Sequence, residues 1–294
     1  MSDKAKKIEP VKIAVIGGSG VYEIDGIDDL KEVEIKTPFG APSDKITIGT
    51  LEGVRCAFLP RHGRGHRILP SELNARANIY ALKTLGVEQI ISISACGSLR
   101  EDVKPRDFLI PDQIFDRTRN RPSTFFGDGI VGHVGVAEPF CNGMRDILHQ
   151  SVKELGINHH FGGTYVCIEG PQFSTRAESE VNRKHGFSIV GMTAVPEAKL
   201  AREAEICYST VGLVTDYDVW KEGEEVTVDV VLANMHANVS NSKKLIKHAL
   251  PRLIKRAESC ACRKALEFAV MTSKEAINKE TLAKLEPILG KYYK

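Results

Sequence analysis

The segment PRHGRGH, residues 60–66, sets Arg61, His62, Arg64 and His66 around Gly63 and Gly65, and no acid lies inside it. Such a loop suits an anion, because a guanidinium presents paired N–H donors that match phosphate or carboxylate. Two histidines four apart would suit zinc on a helix. Here the glycines spoil the helix and the arginines repel a dication, so no metal is expected. A solvated surface loop is the competing reading. A second loaded stretch is LVTDYDVW, residues 213–220, where Asp216 and Asp218 close an apolar run. If the strand continues that far, its period of two puts both carboxyls on one face. Carboxyls at a buried strand end need donors, and two together push one pKa upward. The pair therefore fits a ligand's N–H groups, and one member can donate a proton. Solvated acids capping the strand are the alternative.

Two small-residue stretches belong with these. GGSG, residues 17–20, fails the dinucleotide-binding fingerprint because Glu23 stands where the third glycine belongs, and no GKS or GKT follows to make a P-loop. What survives is a plain turn, or one whose amides and Ser19 hydroxyl approach a phosphate. ISACGS, residues 93–98, adds hydroxyls and a bend that admits a ligand near the backbone; Cys96 within it has no neighbouring base to make it a nucleophile.

These stretches share a position: each ends a short apolar run. VKIAVIGGSG, VRCAFLP, VEQIISISACGSL and YSTVGLVTDYD read as buried strands with small or polar exits. Further strands are read in DFLIPDQIF, TYVCIEGPQF and FSIVGMT. Between them come helices: one capped by Ser71 and closing on Gly86, one ending at Gly156, one opened by the capping box Thr175–Glu178, and one started by Pro196. The stretch from Val230 onward reads as mostly helical with a kink or break near Pro251. Alternating strands and helices predict one α/β domain with a central mixed sheet flanked by helices. Ligands in such sheets bind at the carboxyl ends of strands, where the loaded stretches fall.

Composition narrows the classes. At 294 residues, 42% hydrophobic and 27% charged, the chain has the make-up of an ordinary globular protein with a sizeable core. A net charge of +2 gives no field toward nucleic acid or membrane, so the anion site must be local. The first residues carry no long apolar segment and no run reaches a membrane span, so a cytoplasmic location is expected. Seven cysteines are an odd number for a disulfide framework, and four of them interrupt apolar stretches as inert core thiols. Cys260 and Cys262 differ, sitting as CAC in a charged tail. A zinc site usually shows a second pair, and none is visible, so the two are read as a candidate disulfide and not as a metal site.

In order along the chain, VIGGSGVY, LPRHGRGHRILPSELNARANIYALK, SACGSL, VAEPFC, IEGPQFSTRAES, GMTAVPEAKLAREAEICY and TDYDVW resemble the trimeric purine nucleoside phosphorylase family, in its methylthioadenosine phosphorylase branch. The likeness runs from about Val11 to Leu232. It implies a nucleoside phosphorylase-like, partly barrel-like sheet in a domain over 11–257, with a tail at 1–10 and a helical extension at 258–294. It further implies a pentosyltransferase of purine and methionine salvage that splits methylthioadenosine with phosphate into adenine and 5-methylthioribose-1-phosphate. No cofactor is implied; phosphate is a co-substrate. In family terms phosphate is held by Ser19, Arg61, His62, Ser94, the Ala95 amide and Thr193. Relatives carry threonine where Ser19 and Ser94 stand, which keeps the hydroxyl. Met192 would lie along the ribose and Phe173 against the base. Asp216 and Asp218 would read N6 and N7, with Tyr217 between them at the substrate. Ser174, Val228 and Leu232 would set specificity, and His133 would come from a neighbouring subunit of a homotrimer or a dimer of trimers.

The chemistry of the residues agrees. Cleaving an N-glycosidic bond builds oxocarbenium character on the ribose, which an ordered phosphate can both stabilise and attack. The departing purine takes a proton that a neutral carboxylic acid can supply. A 6-oxopurine phosphorylase, which places asparagine at the Asp216 position, a hydrolytic nucleosidase and a non-catalytic nucleoside-binding protein remain as alternatives.

Overall fold

The computed structural model describes residues 9–18, 20–21, 24–223, 227–256 and 260–293. Its strands are β1 (Ile13–Gly17), β2 (Asp28–Val33), β3 (Ile46–Leu51), β4 (Val54–Pro60), β5 (Gln89–Ser98), β6 (Phe108–Ile110), β7 (Gln113–Arg117), β8 (His159–Phe161), β9 (Thr164–Ile168), β10 (Ile189–Gly191) and β11 (Cys207–Asp216). Its helices are α1 (Ala75–Thr84), α2 (Asn142–Glu154), α3 (Arg176–Lys184), α4 (Ala194–Glu203), α5 (Val228–Leu253), α6 (Lys279–Lys284) and α7 (Glu286–Leu289).

All eleven strands join one mixed sheet. β4, β1, β5 and β11 run parallel side by side, so their carboxyl ends, at Pro60, Gly17, Ser98 and Asp216, gather on one side. Near Gly97 the last residues of β5 take β10 as an antiparallel neighbour, and β9 and β7 continue from it in parallel. This change of partner carries Met192 and Thr193, just past β10, back over β5. The sheet does not close into a barrel.

Strand residues alternate between two cores. Ala14 and Ile16 pack with α1, α4 and the C-terminal Leu266, Ile277 and Leu289. Ile13 and Val15 pack with α2 and α5. Burial on both faces explains why these strands read as continuous apolar runs.

Several boundaries fall where the sequence puts them. Thr175 and Glu178 form the capping box of α3, and after the non-helical Val195 the helical run of α4 begins at Pro196. Others move. Asn74, not Ser71, caps α1 by accepting from the Ala77 amide; Ser71 lies in a short 3-10 turn. DFLIPDQIF divides into β6 and β7, because Pro111 cannot donate to the ladder. α5 does not break at Pro251 but runs on to Leu253. The hairpin of β2 and β3 has no strong signal, since five of six residues in β2 are exposed.

Candidate active site

The gathered strand ends frame a cavity of about 820 Å³, within the size range of small-molecule sites. The turn after β1 contributes Gly18 and Gly20; Ser19 between them lies outside the described residues. Arg61, His62, Ser94, Ala95 and Thr193 line one end. Phe173, Ser174, Met192, Asp216 and Asp218 line another part, and α5 adds Val228, Leu232 and further residues.

Arg61 is not the solvated arginine its local sequence suggests. It is 1% exposed, and its Nε lies 2.5 Å from Glu197 Oε1. Nη2 donates to Glu197 Oε2 and the Ser92 hydroxyl, and Nη1 to the Ile93 carbonyl. A guanidinium has five N–H donors, so one Nη1 hydrogen has no partner among the described residues. Burial works against the charge, but the Glu197 carboxylate outweighs it and Arg61 stays protonated. Arg64 is also matched, by Glu32 and Asp44, and sits apart from the cavity lining. The expectation of a cluster without counter-charge is thus corrected: its acids arrive from β2, the loop before β3, and α4.

His62 behaves differently. Burial pushes its pKa down to about 4, with Arg61 and His66 acting in the same direction. The ring is neutral near pH 7. Its Nδ1 is 2.8 Å from the Ile68 carbonyl, which can only accept, so Nδ1 carries the hydrogen and Nε2 is an acceptor. His66 stacks on it with ring centroids 4.4 Å apart. Behind the pocket, Ser94 Oγ lies 3.0 Å from both Thr193 Oγ1 and the Tyr165 hydroxyl, which pairs a β5 hydroxyl with the one at the N-cap of α4. Burial raises the Cys96 thiol to about 12, in keeping with an inert core cysteine.

At the other end, β11 stops at Asp216 and does not carry Asp218. A register shift sets in between Val214 and Asp216, and Asp218 sits in a left-handed turn at φ 52°. The carboxyls meet through that turn, not through strand periodicity. Asp216 Oδ1 accepts from the Asp218 amide at 2.8 Å and Oδ2 from the Thr215 hydroxyl at 2.6 Å. Gly97 makes room, because a Cβ there would lie 2.8 Å from Asp216 Oδ1. Burial raises both carboxyls above the usual carboxylate range. For Asp218 the Ser179 and Ser174 hydroxyls pull the other way and the Asp216 charge adds to the rise. Asp218 Oδ2 and the Ser174 and Ser179 hydroxyls are buried near one another, without a hydrogen bond of full geometry among the described residues.

Four expected residues stand elsewhere. Tyr217 does not line the cavity: its ring packs edge-on against Trp220, because the chain reverses between the two aspartates. His133 is exposed and outside this chain's own cavity, its amide donating to the Ala269 carbonyl. Cys260 and Cys262 are free thiols in a four-cysteine group with Cys141 and Cys207, not a disulfide. Sequence reasoning missed Glu197, Ser92 and Tyr165, which hold the anion-facing groups from behind. It also missed Val231, Met235, His236 and Val239 of α5; their helical spacing with Val228 and Leu232 was the available signal.

The phosphorylase superfamily model matches residues 12–251. An S-methyl-5′-thioadenosine phosphorylase of Geobacter sulfurreducens is 52% identical over 95% of this chain and 98% of its own length. One from Hyperthermus butylicus is 52% identical over 88% and 95%. Among solved structures, a methylthioadenosine phosphorylase from an Antarctic soil metagenomic library has a TM-score of 0.92 at 49% identity, covering 96% of this chain and 99% of its own. A point mutant of the Schistosoma mansoni adenosine/methylthioadenosine phosphorylase, in complex with methylthioadenosine, has a TM-score of 0.81 at 37% identity, covering 91% and 100%. With this identity along nearly its whole length, the chain belongs to the phosphorylase superfamily, within its S-methyl-5′-thioadenosine phosphorylase family.

Proposed function

We infer that this chain catalyses the phosphorolysis of S-methyl-5′-thioadenosine, releasing adenine and 5-methylthioribose-1-phosphate. The observation that carries this is one cavity with opposite ends: a fixed arginine with paired hydroxyls, and two buried carboxyls raised in pKa. Phosphate sits between the Ser94 and Thr193 hydroxyls, the Ala95 amide, the remaining Arg61 N–H and His62, beside Gly18 and Gly20 of the turn after β1. Because His62 Nε2 is an acceptor, it accepts a hydrogen bond from a P–OH group, which orients phosphate so that an unprotonated oxygen faces C1′. As the C1′–N9 bond breaks, its electron pair moves into the purine, and the acid at Asp216 or Asp218 protonates N7. The ionised partner accepts from the N6 amino group. Met192 lies along the ribose, Phe173 and Ser174 at the base, and the α5 side chains at the methylthio group. No step calls for a cofactor or a metal.

The same reading takes residues 11–257 as the catalytic domain and 258–294 as an extension packed on it. It places the active site at the interface of a homotrimer or dimer of trimers. Support comes from the apolar side chains around His133: Val131 is 51% exposed, Met271 65% and Phe268 89%, a patch suited to a second copy. Among the described residues no helix is long and apolar enough to cross a membrane.

The deciding assay is adenine release from methylthioadenosine with and without phosphate. Release only with phosphate, matched by 5-methylthioribose-1-phosphate, is expected. Phosphate-independent release would instead make the enzyme a nucleosidase, and no release a binding protein.

A further inference from the structure

Far from the cavity, four cysteines from three separate parts of the chain converge. Cys141 is the N-cap residue of α2, Cys207 opens β11, and Cys260 and Cys262 lie on the turn that follows α5. Their four sulfurs lie within 4.8 Å of one another, and Cys141 Sγ is 3.7 Å from Cys260 Sγ. Cys141, Cys207 and Cys262 are at most 5% exposed.

We propose that Cys141, Cys207, Cys260 and Cys262 form a structural site for a thiophilic divalent cation of the zinc type. A tetrahedral zinc thiolate centre has metal–sulfur bonds of about 2.3 Å and therefore sulfur–sulfur edges of about 3.8 Å. The Cys141–Cys260 separation already matches that edge, and the other sulfurs need to close by about 1 Å at most to reach it. The second cysteine pair that the linear sequence lacks is supplied by the fold.

Charge also favours the assignment. Arg256 Nη2 lies 3.1 Å from Cys141 Sγ and 3.0 Å from Cys260 Sγ. Beside neutral histidines an arginine opposes a dication. Beside four thiolates it does the reverse, because the loaded centre carries a net charge of −2 and a guanidinium donating to two sulfurs offsets half of it. Gly143 leaves the room: a Cβ there would lie 2.9 Å from Arg256 Nε. All four ligands come from protein, so the centre has no open position and is structural rather than catalytic. It would tie the start of β11, whose far end carries Asp216, to the end of α5, whose first turns line the cavity.

The full chain, purified anaerobically with reductant and freed of metal, is titrated with zinc and separately with cobalt(II). One equivalent per chain is expected, with proton release and a rise in melting temperature. The cobalt form should show sulfur-to-metal charge transfer and the intense visible bands of a tetrahedral four-sulfur site. The Cys260→Ser/Cys262→Ser double variant should lose that equivalent, and Cys56→Ser, in the core away from the cluster, should keep it. If the double variant does not fold, the wild-type cobalt spectrum decides alone. Substoichiometric uptake, a six-coordinate spectrum, or unchanged binding in a folded double variant would overturn the site. So would peptide maps showing these four cysteines joined as disulfides when zinc is supplied, which would make the cluster a redox clasp.

Discussion

At the Arg61 end of the cavity charge is matched before any ligand arrives, whereas at the Asp216 end it is suppressed. Arg61 is a permanent cation held by Glu197, Ser92 and the Ile93 carbonyl, and it keeps one N–H for the cavity. Asp216 and Asp218 are raised by burial, and one oxygen of Asp218 has no hydrogen bond of full geometry among the described residues. The first arrangement suits a group that positions a reactant without changing its own state. The second suits a group that must change protonation during turnover. Two kinds of perturbation can therefore be told apart by what they move: rigidity and anion affinity at one end, proton inventory at the other.

The largest effect is expected at the carboxyls. Asp216→Asn removes the acid and turns an amide donor toward position 6. It should lower kcat/KM for methylthioadenosine by on the order of 10²–10⁴. The loss on methylthioinosine should be smaller, because an amide donor meets its O6. Equal losses on both substrates would remove Asp216 from base reading and leave Asp218 as the better candidate. Wild-type kcat should fall as pH rises through the raised pKa, and the asparagine variant should lack that limb. Stability carries the same signature. Each folded carboxyl titrates above its ordinary value of 3.8, so folding favours the protonated form. The cost is absent well below 3.8 and fully present above the folded pKa. Asp218→Asn should accordingly melt above wild type at neutral pH, with the difference fading in acid.

Arg61→Ala should cost both structure and affinity. Removing one partner of a buried pair leaves Glu197 uncompensated, which destabilises by about 3–5 kcal/mol. Loss of a charged hydrogen bond weakens phosphate by about 10- to 150-fold, from roughly 1.5–3 kcal/mol. Thermal melts and the phosphate KM measure the two separately. A variant with normal stability would show that Glu197 does not depend on Arg61. A normal phosphate KM would remove the arginine from the site. Here the two cavity ends should diverge: removing a carboxyl's charge gains stability (Asp218→Asn) or costs turnover (Asp216→Asn), whereas Arg61→Ala loses both stability and phosphate affinity.

Which residues were legible follows from how local their signals are. Glycine turns, strand exits and the TDYD stretch carry their chemistry within a few positions, and the structure brings them to one cavity. Partners drawn from far along the chain were not legible. Glu197 is 136 residues from Arg61, and nothing in PEAK marks it as buried. The cysteine cluster joins positions 141, 207 and 260–262, so CAC alone looked like a lone pair. Strand period alone does not bring Asp218 to the cavity; a left-handed turn does. Tyr217 was lost to the same turn. β2 stayed invisible because an exposed edge strand needs no apolar alternation.

The smallest effect is expected between the two charged ends, along α5. Val228 is 63% exposed and Leu232 45%, high values for a wall meant to hold a methylthio group. Both stand on the helix whose cavity-facing residues recur at Val231, Met235 and Val239, so they form the outer part of that stripe. A neighbouring subunit that lends His133 would cover them, and their contact with the 5′ group would then be partly dry. Leu232→Asn puts an amide where the proposed function packs the methylthio group, and it alters neither charged end. Pocket contacts of about one methylene discriminate by 1–3 kcal/mol, and partial exposure argues for the lower limit, so kcat/KM for methylthioadenosine should fall about tenfold. Adenosine, with a 5′ hydroxyl that the amide can hydrogen-bond, should lose less or gain. The ratio of the two specificity constants is the measurement, taken at saturating phosphate so that the Arg61 end does not contribute. An equal loss on both nucleosides would mean that Leu232 supports α5 rather than reading the 5′ group.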